Sequence, residues 1–437
     1  MFSISTKKIS NALRNNPVYA FLLFLCVFIP FQFALNPSVG FDVAIIRIII
    51  PIIFLAWILF KMKRREKLFP RDTISFLIIC FLLLTLFSTL FSSNAWWSFR
   101  KILFWASIFP LYFFASSVLN SLNRKISAVT ALLVGSTLLA WVAIVQFSAQ
   151  FFFDINSVYT FLAKNIAPFF LGNSFSQAVL AYPSWLVSAG GENYMRAVAV
   201  FPDPHMLSYY FGLLIPWSIA LVTVKEKRRG FFLFSASSMI IADIMTFTRG
   251  GYLALIAGAL IVLPLVSRKN ALKILLGVFL LFAFFKIVPN SPVSDRLASS
   301  FDTQEGSNQA RLSNWEQAIS IIAKNPFGVG IGAYSLEVKP GAQYREPIYA
   351  HNVYLDIAAE LGIISVIVFI VLLLLTLRSF WSLSQVNPFF IAGISSVTIF
   401  AIHNVVENPL YSVHVLPLFL IIIALSINRK NNASIDV

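Results

Sequence analysis

Apolar residues form a series of long runs along this chain, and short polar or basic segments separate most of them. An apolar run of about 18 residues or more is long enough to cross the hydrocarbon core of a bilayer as an α-helix. We find about twelve such runs. The pattern therefore predicts an all-α, polytopic membrane protein whose 437 residues form one integral membrane domain. The predicted spans are residues 17–35, 42–60, 73–91, 100–119, 127–151, 206–224, 231–247, 251–267, 271–289, 352–377, 388–407 and 411–427.

Composition and charge agree with this prediction. The chain is 58% hydrophobic and 12% charged, with a net charge of +15, whereas a soluble protein carries about twice that charged fraction. With the N-terminus in the cytoplasm, every strong basic cluster lies in a cytoplasmic connection, as the positive-inside rule requires. We therefore predict two cytoplasmic termini and a lipid environment, and no nucleic-acid partner. The basic clusters are at residues 61–67, 124–125, 225–229, 268–269, 378 and 429–430.

Two of the predicted outer connections are long, at residues 152–205 and 290–350. The first is unusually aromatic, which predicts short amphipathic helices that lie in the membrane interface or re-enter the membrane partway. The second is polar and contains Gly328, Gly330 and Gly332 at alternate positions. This spacing predicts an irregular, close-packed turn. It does not resemble a phosphate-binding loop, because no Lys-Ser/Thr pair follows.

A polar stripe begins where the second long connection meets the next apolar run. Asn352, Asp356 and Glu360 are spaced to share one face of a helix, over about 12 Å at 1.5 Å per residue. Carboxylates are costly against lipid, so they should face the bundle interior or a wet cavity. They either hold helices together or take part in chemistry. His351 precedes the stripe and is a candidate general base, with a helix cap as the alternative.

Two arginines, Arg196 and Arg249, fall on the outer side of the predicted topology, against the positive-inside bias. This placement predicts a specific anionic partner, because the planar guanidinium can donate two parallel hydrogen bonds to a phosphate. Gly250 and Gly251 follow Arg249 and would let backbone amides approach the same anion. The alternative is a salt bridge to an outer carboxylate such as Asp203, or contact with lipid headgroups.

Other polar residues are weaker candidates. His403 and Glu407 have the spacing of a helical pair, which fits hydrogen bonding between helices as well as a catalytic role. The chain contains no Walker A motif, no His-Glu-x-x-His, no Gly-x-Ser-x-Gly and no Asp-x-Asp pair that would bind a metal with a nucleotide sugar. An enzyme built from these residues would therefore take a membrane-borne donor from the outer side.

The ordered set of motifs resembles the superfamily of O-antigen ligases and O-antigen polymerases. The resemblance covers residues 245–375, including the second long connection. Each piece is short, but their order across an outer loop between membrane spans is specific. The pieces are Thr248-Arg249-Gly250-Gly251; Arg311 with Trp315 and Ala318; Asn325-Pro326 with Gly328, Gly330 and Gly332; His351-Asn352; Tyr354-Leu355; and Glu360-Leu361-Gly362.

The resemblance implies an enzyme of the bacterial inner membrane with its active site facing the periplasm. Such an enzyme transfers a glycan from an undecaprenyl-diphosphate carrier to a hydroxyl group of lipid A core, of a growing polysaccharide or of a protein. It uses neither a metal nor a nucleotide sugar. The shared motifs do not separate a ligase from a polymerase.

The resemblance also implies roles for individual residues. His351 matches the catalytic histidine, and Arg249 matches an arginine that holds the donor diphosphate. Arg196 matches the second such arginine, although the segment after it departs from the family pattern at Val198, Asp203 and His205. Arg311 contacts a sugar or phosphate, or forms a salt bridge in the loop. Possible supporting residues are Gly250, Asn352, Asp356 and Glu360.

The implied reaction is an inverting transfer. His351 would accept the proton of an acceptor hydroxyl that attacks the anomeric carbon from the face opposite the diphosphate. A flippase or other transporter of lipid-linked oligosaccharide is the alternative, since it would also need outer arginines. A transporter would spread its charges along a path through the membrane and show two similar halves. The marked residues instead gather at the outer boundary, which favours an enzyme.

Overall fold

The computed structural model describes residues 17–38, 41–66, 72–181, 184–189, 191–287, 306–344 and 348–428. This part of the chain is nearly all-α, as predicted. The helices of the first half are α1 (Pro17–Phe28), α2 (Ile46–Lys63), α3 (Thr73–Ser88), α4 (Ala95–Ile108), α5 (Pro110–Val118), α6 (Leu122–Ala149), α7 (Ile155–Phe161), α8 (Ala167–Leu171) and α9 (Asn173–Ala181). Those of the second half are α10 (Pro204–Val224), α11 (Arg229–Ile244), α12 (Arg249–Leu260), α13 (Arg268–Ile287), α14 (Gly306–Lys324), α15 (Tyr334–Val338), α16 (Val353–Leu361), α17 (Ile363–Ser384), α18 (Ile391–His403) and α19 (Val415–Leu425).

Two short antiparallel hairpins interrupt the helical pattern. Strand β1 (Ala34–Ser38) pairs with β2 (Phe41–Ala44), and β3 (Leu186–Ala189) pairs with β4 (Glu192–Met195). The all-α prediction is wrong at these hairpins. The first pair lies between α1 and α2, at the ends of two predicted spans, where the apolar sequence gives no sign of an extended backbone.

Five helical segments in the described part of the chain are long and apolar enough to cross a membrane. They are Thr73–Phe91, Ala95–Val118, Leu122–Ala149, Pro204–Val224 and Ile363–Ser384. Shorter apolar helices occupy four further predicted spans. The predicted total of about twelve spans and the arrangement of the outer loops remain predictions.

Helix α10 lies at the centre of the bundle. Its apolar segment is 72% buried within the protein, against 33% for the corresponding segment of Thr73–Phe91. It packs against α11 on one side and α18 on another, and α18 in turn contacts α12 and α17. A central helix that is apolar on every side is expected to be buried in this way, because no face of it needs water or lipid.

The predicted span 352–377 is two helices and not one. Gly362 separates α16 from α17 and has a φ of +87°, a conformation that side chains with a Cβ rarely adopt. The break frees the carbonyl groups of Ala359 and Glu360 from the helical pattern. The backbone N–H groups of Val329 and Gly330 donate to these carbonyls at 2.8 and 3.0 Å.

The glycine-rich turn of residues 328–332 therefore packs directly on this helix break. A Cβ atom at Gly328 would lie 2.5 Å from the carbonyl oxygen of Glu360, and one at Gly330 would lie 2.5 Å from the Cα of Ser92. Backbone approaches this close require glycine. The close-packed turn predicted from the alternate glycines is confirmed, and it fixes the start of α17.

Residues 152–205 contain short helices, as predicted, and then the second hairpin. They have a small apolar core of their own, which includes Tyr159, Trp185 and Met195. Trp185 is 2% exposed and donates its indole N–H to the carbonyl of Pro202 at 2.9 Å. Phe152, at the start of the segment, is 81% exposed. The aromatic residues thus divide between a local core and an exposed apolar surface.

Because Gly362 is closely packed, adding one methyl group at this position should strongly lower the stability of the protein. A Cβ atom there would lie 2.6 Å from the backbone carbon of Phe327, and the left-handed backbone adds strain. We expect Gly362→Ala to lower the free energy of unfolding by about 3 kcal/mol, measured by thermal unfolding in detergent.

Gly277→Ala is the matched control. Gly277 lies in the exposed interior of α13 with no heavy atom within 4 Å of a new Cβ. The same substitution there should stabilise the helix by up to about 1 kcal/mol. Equal stabilities of the two variants would contradict the packing described for Gly362.

Candidate active site

His351 lies in the loop just before α16 and has a φ of +53°, an uncommon conformation for a residue other than glycine. Contacts on both sides hold it there. The backbone N–H of Ala350 donates to Oδ1 of Asp356 at 2.8 Å. On the other side, Asn352 caps α16, because its Oδ1 accepts the backbone N–H groups of Tyr354 and Leu355. Asn352 thus provides the helix cap, and the side chain of His351 is not used for capping.

Glu407 lies in the turn that follows α18. The turn is tied to α16 through the backbone N–H of Val353, which donates to the carbonyl of Asn404 at 2.9 Å. A second tie comes from Nδ2 of Asn408, which donates to Oδ2 of Asp356 at 2.7 Å. The two oxygens of Asp356 thus hold the His351 loop and the Glu407 turn in one arrangement.

The two side chains meet as a histidine–glutamate pair. Nδ1 of His351 lies 3.2 Å from Oε1 of Glu407, with 44% and 13% of the respective side chains exposed. The hydrogen bond to Glu407 raises the pKa of His351 above its ordinary value, against the opposing effects of burial and the charge of Arg311. A carboxylate has no proton to donate, so Nδ1 carries one. In the described part of the chain, Nε2 has no hydrogen bond.

Sequence reasoning placed Glu407 with the wrong histidine. His403 forms no hydrogen bond within the described residues; its ring stacks on Tyr209 at 3.7 Å instead. A helical pairing of His403 with Glu407 is not possible, because α18 ends at His403 and Glu407 lies in the turn that follows. A signal was present: Glu407 is an isolated carboxylate at the same predicted membrane boundary as His351.

The predicted polar stripe faces the interior of the protein, as expected. Asn352, Asp356 and Glu360 are 8%, 6% and 6% exposed. Glu360 forms a buried salt bridge to Lys101 of α4, with Nζ and Oε1 2.8 Å apart. Tyr411 donates its hydroxyl to the other oxygen at 3.3 Å. Glu360 therefore connects helices, Asp356 connects loops, and neither carboxylate hydrogen-bonds His351.

Arg196 is 6% exposed and holds the turn between α11 and α12. Its Nε donates to the carbonyl of Thr246 at 2.7 Å, and its Nη2 donates to Oγ1 of Thr248 at 3.2 Å. Arg249 follows Thr248 directly in the chain; it is 8% exposed and begins α12. The two arginines predicted to act together are thus joined through one turn.

Gly250 lets this turn approach the one that carries Glu407. A Cβ atom at Gly250 would lie 2.5 Å from Cγ2 of Val406 and 3.3 Å from Cδ2 of His403. The space beside Gly250 is therefore taken by α18 and the turn after it. The missing side chain of Gly250 thus permits close helix packing. The approach of its backbone amide to an anion stays a prediction.

Arg311 lies on α14, and its positive charge acts on the ring of His351. Arg196, Arg311 and Glu407 all interact electrostatically with His205, at the start of α10. The structure thus brings His351, Glu407 and three predicted basic residues to one end of the bundle core. The described residues contain no group of three or more histidine, cysteine, aspartate or glutamate side chains that could hold a metal ion.

An apolar helical bundle with a charged site at one end defines an integral membrane protein, and this class fits the bacterial inner membrane. Residues 234–370 match the family model described as O-antigen ligase. This match confirms the resemblance to the superfamily of O-antigen ligases and polymerases that the sequence predicted. The match supports membrane glycan transfer of the ligase or polymerase type in lipopolysaccharide biosynthesis. A comparison with curated proteins finds no match.

The buried pair of Lys101 and Glu360 predicts a stability effect that is separate from catalysis. Glu360→Gln would leave the Lys101 ammonium buried without its carboxylate, and we expect a loss of about 3–5 kcal/mol in thermal unfolding. Adding Lys101→Met should recover part of that loss, since no unpaired charge then remains. Glu66→Gln, in the more exposed pair with Lys61 at 3.9 Å, should cost at most about 1 kcal/mol. Equal losses from the two glutamate changes would contradict a structural role for Glu360.

Proposed function

We propose that this protein transfers a glycan from an undecaprenyl-diphosphate carrier to a hydroxyl acceptor at the outer face of the inner membrane. The acceptor is lipid A core or a growing polysaccharide. The observation that carries this proposal is the His351–Glu407 pair, which lies beside buried arginines in an O-antigen ligase domain. The termini would then be cytoplasmic and the site would face the periplasm, consistent with the distribution of basic clusters.

His351 serves as the general base. Glu407 at Nδ1 selects the tautomer with a lone pair on Nε2 and stabilises the positive charge that the ring gains. The acceptor oxygen attacks the anomeric carbon as its proton moves to Nε2, so the new carbon–oxygen bond forms opposite the bond that breaks. The bond between the anomeric carbon and the diphosphate oxygen breaks, and the diphosphate departs with the electron pair. The product has the inverted configuration.

The arginines stabilise the departing diphosphate. Negative charge grows on the diphosphate as the glycosidic bond breaks, and fixed cationic groups in a site of low dielectric stabilise it. Arg249 lies in the first turn of α12, where the helix dipole also favours an anion. Arg196 orders that turn through Thr246 and Thr248 while adding its own charge. Arg311 adds a third charge from α14, on the side of His351.

Asp356 acts as a positioning residue. Its two oxygens are occupied by Ala350 and Asn408, so it sets the distance between base and partner without touching substrate. Asn352 has a similar function, because its cap fixes the first turn of α16 next to His351.

Transfer by purified protein tests the proposal. With an undecaprenyl-diphosphate-linked glycan, candidate acceptors, chelator and no nucleotide, the native chain should form acceptor-linked product. His351→Ala should reduce the rate at least about 100-fold, because the acceptor hydroxyl loses its base. His414→Ala is the matched control, since His414 is buried and stacks on Phe201 at the other end of the turn; a folded variant should retain transfer.

Two outcomes would contradict the proposed function. One is full transfer by a folded His351→Ala variant, which would show that His351 is not the general base. The other is the absence of transfer to any acceptor, together with movement of lipid-linked glycan across liposomes, which would establish the transporter instead. The acceptor that succeeds distinguishes a ligase from a polymerase.

The pKa of His351 predicts the pH dependence of transfer. Only the neutral ring can accept a proton, so activity should fall as the pH drops through the pKa of His351, which the bond to Glu407 raises. In Glu407→Gln that effect is lost, while burial and Arg311 still lower the pKa. The acid limb of kcat/KM should therefore move to lower pH, and the plateau should fall by about 100-fold. An unshifted limb in this variant would mean that another group titrates.

A further inference from the structure

A cavity of about 370 Å³ is lined in part by Tyr349 and Tyr411, which lie close in sequence to His351 and Glu407. Its walls come from the β1–β2 hairpin and α2, from α4, from the segment after the glycine-rich turn, and from the turn after α18. The volume lies in the range of about 300–1,000 Å³ that is usual for small-molecule sites. None of the predicted site residues discussed above lines it.

The cavity carries two arginines. Nε of Arg47 donates to Oγ of Ser107 at 3.2 Å, and the guanidinium of Arg100 lies over the ring of Tyr344 at 3.9 Å. Within the described residues, neither arginine forms an ion pair with a carboxylate. A guanidinium in a partly buried wall without a counter-charge favours an anionic ligand with oxygen atoms, such as a phosphate or carboxylate.

The cavity wall also carries Lys101 and Asp42. Lys101 is paired with Glu360. Oδ2 of Asp42 accepts the backbone N–H of Ser174 at 3.0 Å, and its Oδ1 has no hydrogen-bond partner among the described residues. The two arginines therefore face one aspartate, and the charge of the cavity remains positive.

Aromatic rings form much of the remaining wall. Trp97 and Tyr344 meet edge to face at 5.3 Å, and Tyr349 and Tyr411 stack at 6.2 Å. Flat rings with a polar atom at one end pack against the apolar faces of sugar rings and hydrogen-bond their hydroxyl groups. Arginines and tyrosines together therefore fit an anionic saccharide better than an inorganic anion.

Two residues that line the cavity are close in sequence to the histidine–glutamate pair. Tyr349 lies two residues before His351, and Tyr411 lies four residues after Glu407. The hydroxyl of Tyr349 interacts electrostatically with Asp356 and Glu407. The arginines assigned to the donor come from other elements, the segment before α10 and the start of α12. The cavity and the donor arginines therefore approach the pair from different elements.

From this arrangement we propose that the cavity binds the acceptor, and that the acceptor sugar carries a phosphate or carboxylate group that Arg47 and Arg100 hold. The inference rests on the proposed function, because only a transfer reaction needs a second saccharide beside the base. Arg47 and Arg100 are specificity residues. They fix the anionic group so that a hydroxyl of the same saccharide reaches Nε2 of His351.

Binding is tested first, because it does not require transfer. Full-length protein in phosphatidylcholine nanodiscs is dialysed against labelled glucose 6-phosphate, with glucose and inorganic phosphate as competitors. We expect saturable binding that Arg47→Gln/Arg100→Gln weakens about tenfold or more. The control Arg228→Gln/Arg229→Gln also removes two positive charges, but from exposed residues at the start of α11; it should bind as the native chain does.

Each other binding outcome overturns the proposal. Equal binding by the two double variants would exclude the cavity as the site. Inorganic phosphate that competes as well as glucose 6-phosphate would mean a simple anion site. Displacement by phosphatidylglycerol added to the nanodiscs would mean a lipid-headgroup site.

Kinetics then separate this proposal from the one it rests on. In the transfer assay, Arg47→Gln/Arg100→Gln should raise KM for the acceptor about tenfold and leave KM for the donor unchanged. Unchanged acceptor KM with normal transfer would overturn the acceptor site while leaving the transferase intact. If the native chain shows no transfer, the proposed transferase function fails, and the binding result still decides whether the cavity holds an anionic saccharide.

Discussion

The site depends on one buried carboxylate. Asp356 is 6% exposed and accepts hydrogen bonds from two segments, the loop that carries His351 and the turn that carries Glu407. A buried carboxylate with both oxygens occupied is tolerable, while one without partners is costly. The same requirement that stabilises the fold therefore sets the geometry of the histidine–glutamate pair. The unusual φ of His351 can persist because contacts on both sides define it.

The helix break at Gly362 explains how the glycine-rich turn is anchored to the bundle. Carbonyl groups at a break need donors, and the backbone of the glycine-rich turn supplies them. Glycine is required on both sides, because any Cβ would separate the two backbones. As a result, the glycine-rich turn that precedes His351 in the chain is held at a fixed point and is part of the site's framework.

The matched O-antigen ligase domain does not contain the whole site. Residues 234–370 include His351, Arg249 and Arg311, whereas Arg196 and Glu407 lie before and after the matched region. Lys101, which balances Glu360, lies further away still. The surrounding helices thus supply the charge partners of the domain's polar residues. This division is physically reasonable, since a buried charge needs a counter-charge but not one from a particular part of the chain.

The sequence by itself determined the class of protein and most of the candidate residues. Hydropathy runs and basic clusters act locally, so they predicted a helical membrane protein and the boundary at which His351, Arg196 and Arg249 would gather. Only the tertiary structure decided which polar groups meet. His351 and Glu407 are 56 residues apart, and Lys101 and Glu360 are 259 apart. Such pairs depend on how helices pack, and neither periodicity nor local motifs record that.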